Sequence, residues 1–362
     1  MTTPQAHPAT GGLTRRSFLA AGAGLVAGAC LARPARAAGG VPFGAAIQSD
    51  YFDTDPSYVQ AFVDHCDIVM PMNELKFGLL RPARDEFNFT HADRLVDFAL
   101  ANGKASRGHA FVWWSTNPPW LEAIEDESEA ETALIEHIER VADHYRGRLT
   151  DWDVVNEVIA HDPRGGPDGP LRDTFWLRRL GPRHVPLAFE TAARADPGAG
   201  LVINDYDLEF AGDRYDARRA AMLDIVRQLQ DRNIRVDAVG LQAHLYSHLA
   251  VDVPGFARFG EALEALGVRL IVTELDVIDF QVRGGVEEQD AAATRVVSDL
   301  LDAVEGTPPL ALVTWGLTDR YSWVPDAMPR QDGKPSRPLP FDARMRPKPW
   351  YDMLRARLAA MG

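Results

Sequence analysis

Val236-Asp237-Ala238-Val239-Gly240-Leu241-Gln242-Ala243 and Arg269-Leu270-Ile271-Val272-Thr273-Glu274 are two short β-rich runs with a helical stretch around Pro254 between them. Both end in polar residues, and the second is apolar almost to its end, as expected of a parallel strand buried on both faces. The same kind of run recurs at 42–47, 66–72, 105–113, 152–157, 201–205 and 311–316. The intervening stretches carry apolar residues at helical spacing. Leu134, Ile138, Val141 and Tyr145 share one face; Val296, Val297, Leu300, Leu301 and Val304 share another. Pro182, Pro254 and the break Asp196-Pro197-Gly198 mark helix starts and stops. Eight strand–helix units with no linker or composition break predict an α/β chain folded as one (β/α)8 TIM barrel. An open doubly wound sheet satisfies the same pattern.

Composition narrows the function. The 362 residues are 46% hydrophobic and 25% charged, a globular balance with material for a large core. The formal net charge is −14, and the first 37 residues hold four Arg and no acid, so the rest stands near −18. So acidic a chain lacks the basic footprint of a nucleic-acid or anionic-lipid binder and suits neutral substrates.

Those first residues read as an export signal. Thr14-Arg15-Arg16-Ser17-Phe18-Leu19 precedes an Ala/Gly/Leu/Val run that ends before Arg33 and is short for a bilayer span. Ala35-Arg36-Ala37 offers a small-x-small cleavage site. The segment resembles a Tat signal peptide over residues 1–37, which implies export to the periplasm or beyond the cell and a mature chain of residues 38–362 without a membrane segment. Lipidation at Cys30 is the competing reading, although Ala27-Gly28-Ala29 lacks the preferred large aliphatic residue. Cleavage removes Cys30, so the mature chain has no disulfide; Cys66, inside an apolar run, reads as a buried thiol.

In a barrel the chemistry stands at the C-terminal ends of the strands. Those ends carry Asn73-Glu74-Leu75-Lys76, then Gly108-His109 with Trp113-Trp114, Asn156-Glu157, Asn204-Asp205-Tyr206, Gln242-Ala243-His244, Glu274-Leu275-Asp276, and Trp315-Gly316 followed by Asp319 and Trp323. Indole faces stack on the C–H faces of pyranose rings, while amides and carboxylates bind their hydroxyls. Glu157 and Glu274 each close an apolar strand, where a charge is costly unless it has a task. Two such carboxylates can cleave a glycosidic bond between them. No two His share ligand spacing on one element, so no metal or other cofactor is expected.

These strand ends resemble glycoside hydrolase family 10, the endo-β-1,4-xylanases, across residues 41–355. The specific stretches are Trp152-Asp153-Val154-Val155-Asn156-Glu157, Gly240-Leu241-Gln242-Ala243-His244-Leu245 and Thr273-Glu274-Leu275-Asp276. Arg107-Gly108-His109, Asn204-Asp205-Tyr206, Trp315-Gly316 through Trp323, and Lys348-Pro349 add to them. The resemblance implies a single catalytic barrel that cleaves β-1,4-xylosidic bonds with retention. It makes Glu157 the acid/base, Glu274 the nucleophile, Asn156 the contact to the sugar 2-hydroxyl, His244 the imidazole beside the nucleophile and Asp276 its support. Asn73, Lys76, His109, Gln242, Trp315 and Trp323 match residues lining the glycone side of the cleft. Trp113 and Tyr206 complete the expected substrate-binding set, with a β-linked polysaccharide as the partner of a monomer.

The departures fall on the glycone side. Met72 stands where the family has Glu, Trp114 and Thr116 where it has His and Gln, and Val324 where it usually has Arg. They keep two other readings open at this stage: a hydrolase of another β-1,4-linked polymer such as a bacterial exopolysaccharide, and a catalytically weak sugar-binding barrel.

Overall fold

The computed structural model describes residues 40–165 and 169–361. The signal-peptide expectation for residues 1–37 and Cys30 therefore lies outside the described residues.

Among the described residues ten strands occur in chain order: β1 (Phe43–Ile47), β2 (Ile68–Pro71), β3 (Ala105–Ser106), β4 (Gly108–Val112), β5 (Asp151–Asn156), β6 (Gly200–Asp205), β7 (Ala238–Leu241), β8 (His244–Tyr246), β9 (Arg269–Ile278) and β10 (Leu312–Thr314). Nine of them pair in parallel in the order β3-β2-β1-β10-β9-β7-β6-β5-β4, a nearly closed barrel, and β8 pairs with β9. The two ends of that path, β3 and β4, are halves of one run interrupted at Arg107. Counted as one, they leave eight staves, as the alternation in the sequence predicts. The open doubly wound sheet is excluded by this pairing.

The strand period of two sorts side chains between two cores. Ala46, Met70, Val202, Ala238, Ile271, Ala311 and Val313 pack inside the barrel with Met72 and Trp315. Their neighbours Ala45, Ile47, Leu201, Ile203, Leu270, Val272 and Leu312 face outward into the larger core beneath the helices. Helix Glu127–Tyr145 starts where Asp126 accepts from Glu129 N–H, and it buries Leu134, Ile138, Val141 and Tyr145 as the periodicity predicts. Helix Val286–Val304 buries its predicted stripe in the same way. Each such aliphatic side chain contributes about 1.5–3 kcal/mol when fully buried. Ile138→Ala on this face is expected to cost about 2–5 kcal/mol. Cys66 is buried beneath the same layer, and burial pushes its thiol up, away from reactivity.

Most strand boundaries differ from the sequence reading by a residue or two, and two of the differences have a visible cause. The run 236–243 ends as a strand at Leu241, because Ala243 takes a left-handed conformation (φ 59°) that breaks the ladder before His244. The run expected to end at Glu274 continues to Ile278, held by β8 alongside it.

Candidate active site

Glu157 is the first residue beyond β5 and has a left-handed backbone (φ 56°). That conformation costs a non-glycine residue about 1–2 kcal/mol. It is fixed by its N–H, which donates to Asn204 O at 2.8 Å, and by Arg172 Nε, which donates to its carbonyl at 2.9 Å. Both carboxyl oxygens of Glu157 have N–H partners. Gln242 Nε2 donates to Oε1 at 3.2 Å and Trp114 Nε1 to Oε2 at 2.5 Å. The Arg172 guanidinium stands 3.8 Å from Oε2.

Glu274, on β9, is 4% exposed. Asn204 Nδ2 donates to its Oε1 at 2.7 Å, and His244 Nε2 lies 3.3 Å from Oε2. Burial alone raises the pKa of such a carboxyl, but the His109 and His244 imidazoles more than offset it and hold Glu274 below the ordinary glutamate range. Burial likewise disfavours a charged His244. Its Nδ1 lies 2.9 Å from Asp276 Oδ1, and the charges of Asp276 and Glu274 prevail and raise its pKa well above the usual histidine value. His244 is thus an imidazolium between two carboxylates at neutral pH. The other Asp276 oxygen accepts from Trp323 Nε1 at 2.7 Å, which ties the last aromatic of the site to the same carboxylate.

Amides join the two glutamates. Asn204 Nδ2 bridges Glu274 to Asn156 Oδ1 at 2.8 Å, and Gln242 Nε2 bridges Asn156 Oδ1 to Glu157 at 3.1 Å and 3.2 Å. Two donors on one carbonyl orient the Asn156 amide and leave its NH2 group to donate elsewhere. Asn204 is itself fixed by Thr273 Oγ1, which donates to its Oδ1 at 2.7 Å.

A second network lies behind His109. Its Nδ1 is 2.8 Å from Asp153 Oδ2. Arg107, fully buried inside the barrel, binds Asp153 through two nitrogens at 2.7 Å and 3.1 Å and Asp151 at 2.8 Å. Burial opposes ionisation of Asp153, but the Arg107 charge outweighs it, so the carboxylate stays ionised and anchors the imidazole. Lys76, buried just past β2, donates to Asn73 Oδ1 at 2.8 Å and lies 4.7 Å from the Trp113 ring and 5.5 Å from the Trp315 ring.

Twelve of the thirteen residues singled out in the sequence line one cleft of about 930 Å³ at the C-terminal mouth of the barrel. They are Glu157, Glu274, Asn73, Lys76, His109, Trp113, Asn156, Tyr206, Gln242, His244, Trp315 and Trp323. Asp276 stands behind His244. Sequence reasoning placed Asn204 at a strand end but gave it no role in the site. It passed over Arg172, which had no such signal. Arg172 returns to the site through a bridge between Ile159 and Leu171, and its NH2 reaches Tyr206 Oη at 2.5 Å. Among the described residues no group of three or more His, Cys, Asp or Glu side chains is arranged to hold a metal ion.

The arrangement has known counterparts. The model of glycosyl hydrolase family 10 matches residues 31–357. Endo-1,4-beta-xylanase B of Thermotoga neapolitana is 31% identical over 300 residues, covering 82% of each chain. Endo-1,4-beta-xylanase D of Talaromyces funiculosus is 31% identical over 345 residues, 94% of this chain and 80% of that protein. The crystal structure of native xylanase 10B from Thermotoga maritima superposes with a TM-score of 0.80 at 29% identity, over 89% of this chain and 95% of that one.

Proposed function

This chain belongs to glycosyl hydrolase family 10, and from that premise we propose that it cleaves internal β-1,4-xylosidic bonds of xylan by retaining double displacement. Endo-1,4-β-xylanases among its relatives support that substrate. The observation that carries the chemistry is the asymmetry of the two linked glutamates. Glu274 is buried yet held ionised by two imidazoles, while Glu157, linked to it through Asn204, Asn156 and Gln242, stands at the cleft where a departing oxygen can take its proton.

Glu274 attacks the anomeric carbon. The bond from that carbon to the glycosidic oxygen breaks, and the proton of Glu157 passes to the departing oxygen. A glycosyl ester on Glu274 remains. Glu157, now ionised, takes a proton from water as the water oxygen bonds to the anomeric carbon and the ester bond breaks. Two displacements restore the original configuration. His244, paired with Asp276, stabilises the Glu274 carboxylate both before attack and as it leaves. Asn156 offers its free NH2 group to the sugar 2-hydroxyl, a contact that strengthens as positive charge grows on the ring. Trp113, Trp315 and Trp323 provide the apolar faces, and Asn73, Lys76, His109, Gln242 and Tyr206 the polar contacts. A barrel that only binds sugar is not favoured by a site with this carboxylate pair.

The twin-Arg segment and the small-x-small site support Tat-type export, with a mature enzyme of residues 38–362 acting as a monomer in the periplasm or outside the cell.

Product analysis tests the reading. Residues 38–362 should release short xylo-oligosaccharides from xylan, and a Glu274→Ala control should release none. Glu157→Ala should slow turnover by about 10²–10⁴ and be partly rescued by azide with a β-glycosyl azide as product. An α-azide product would refute retention.

A further inference from the structure

The first displacement moves a charge. Before it, Glu274 is a carboxylate and Glu157 carries a proton. After it, Glu274 is an ester, and Glu157, having given its proton to the departing oxygen, is the carboxylate. The pair holds one negative charge throughout, and that charge crosses the cleft from one glutamate to the other. Groups that favour its starting position slow the step, and groups that favour its final position speed it.

The starting position is well served. The His244 imidazolium lies 3.3 Å from Glu274 Oε2, and Asn204 donates to Oε1. At the other end stands a guanidinium. Arg172 Nη2 is 3.8 Å from Glu157 Oε2, and the two side chains are 19% and 14% exposed, so water screens the pair little. The hydrogen bonds of Arg172 go to neutral acceptors, from Nε to the Glu157 carbonyl at 2.9 Å and from Nη2 to Tyr206 Oη at 2.5 Å. Two nearby arginines are already paired with aspartates, Arg214 with Asp207 and Arg218 with Asp205. Among the described residues Arg172 has no carboxylate at ion-pair distance except Glu157.

The fold holds the guanidinium there. Arg172 N–H donates to Val158 O at 2.8 Å and Ala160 N–H to Pro170 O at 2.8 Å, which closes the loop from Glu157 back onto its own start. The guanidinium carbon lies 5.2 Å from the Trp114 ring centre and 5.3 Å from that of Tyr206, so both rings favour the cation. Trp114, where the family has His, donates to the same Glu157 oxygen but cannot carry a charge. Among the described residues the cation beside that oxygen is therefore Arg172 alone.

We propose that Arg172 is a positioning residue for proton donation: its charge draws the negative charge of the pair onto Glu157 as the glycosidic bond breaks, in opposition to His244 at Glu274. The proposal rests on the retaining-hydrolase reading and adds a residue to it. A leaving group that needs the proton needs Arg172, and one that departs unprotonated does not.

The test measures kcat/KM, which reports the steps up to the glycosyl ester, at neutral pH on xylan, phenyl β-xylobioside and dinitrophenyl β-xylobioside. Removing a donor in direct contact with a developing oxyanion costs roughly 10²–10³ in rate. A cation slightly further out should cost less, so Arg172→Gln should lose about tenfold on xylan and on the phenyl glycoside and under about twofold on the dinitrophenyl glycoside. Arg172→Lys, which keeps the charge, should regain most of the loss. An equal loss on all three substrates would make Arg172 a purely structural support and overturns the proposal. So does a selective loss that Lys does not regain, or no loss at all. In each of these cases wild-type hydrolysis of xylan leaves the underlying reading intact, whereas a wild-type protein that cleaves none of the three overturns both.

Discussion

Replacing Glu209 by Gln should change the pH dependence of folding by a predictable amount. Glu209 follows β6 on a loop whose backbone is pinned by Asp252 N–H, which donates to its carbonyl at 2.8 Å. The side chain is fully buried, and neither carboxyl oxygen has a hydrogen-bond partner among the described residues. Burial, reinforced by the Asp207 charge and only partly offset by His244, pushes its pKa up to about 8 from an ordinary 4.5. The folded chain thus keeps a proton that the unfolded chain releases near pH 4.5. Between 4.5 and about 8 stability falls by about 1.4 kcal/mol per pH unit from this group, roughly 4–5 kcal/mol over the window. Below and above the window its contribution is constant. Gln has no proton to release, so Glu209→Gln lacks this component while sharing nearly all other titrations. Urea unfolding of both proteins from pH 5 to 9 measures the difference. The variant should gain on the wild type steadily up to about pH 8 and then run parallel. The constant offset, set by how the Gln amide is accommodated, does not enter. A difference independent of pH across that range would refute the argument.

Three further outcomes concern the site. Asp276→Asn removes the charge that raises the pKa of His244, so His244 should deprotonate at lower pH and the alkaline limb of the kcat/KM profile should move downward; an unmoved limb would separate His244 from catalysis. Asn204→Ala deletes the donor shared by Glu274 and Asn156, and kcat should fall roughly 10- to 100-fold while urea unfolding stays cooperative. Trp114→Phe keeps the aromatic face but loses the N–H to Glu157, and kcat/KM on xylan should drop about three- to tenfold with a smaller loss on aryl xylosides, whose leaving group needs little protonation. Equal losses on both substrates would make Trp114 a binding surface alone.

The eight βα units, both glutamates and most of the cleft were legible in the sequence because they follow from local patterns. A buried strand must be apolar, and its end is the first place a polar residue can stand. Trp152-Asp153-Val154-Val155-Asn156-Glu157 shows both rules in six residues. Boundaries were less legible where a left-handed residue, Ala243, or a neighbouring strand, β8, changes the ladder without changing the composition.

The relationships between strand ends had to wait for the fold. Nothing near Arg107 announces that it fills the gap between β3 and β4 and anchors His109 through Asp153, 46 residues away. Arg172 looks like an ordinary loop cation until the Ile159–Leu171 bridge folds it onto Glu157. The amide bridge from Glu274 to Glu157 joins residues from three strands and the turn after β7. The sequence by itself determined which residues stand at the mouth of the barrel, because strand periodicity and burial act over a few neighbours. Only the tertiary structure decided which of them are charged and which oxygen each donor holds. Hydrogen bonds and charges act over a few ångströms in space, between residues that the chain keeps far apart.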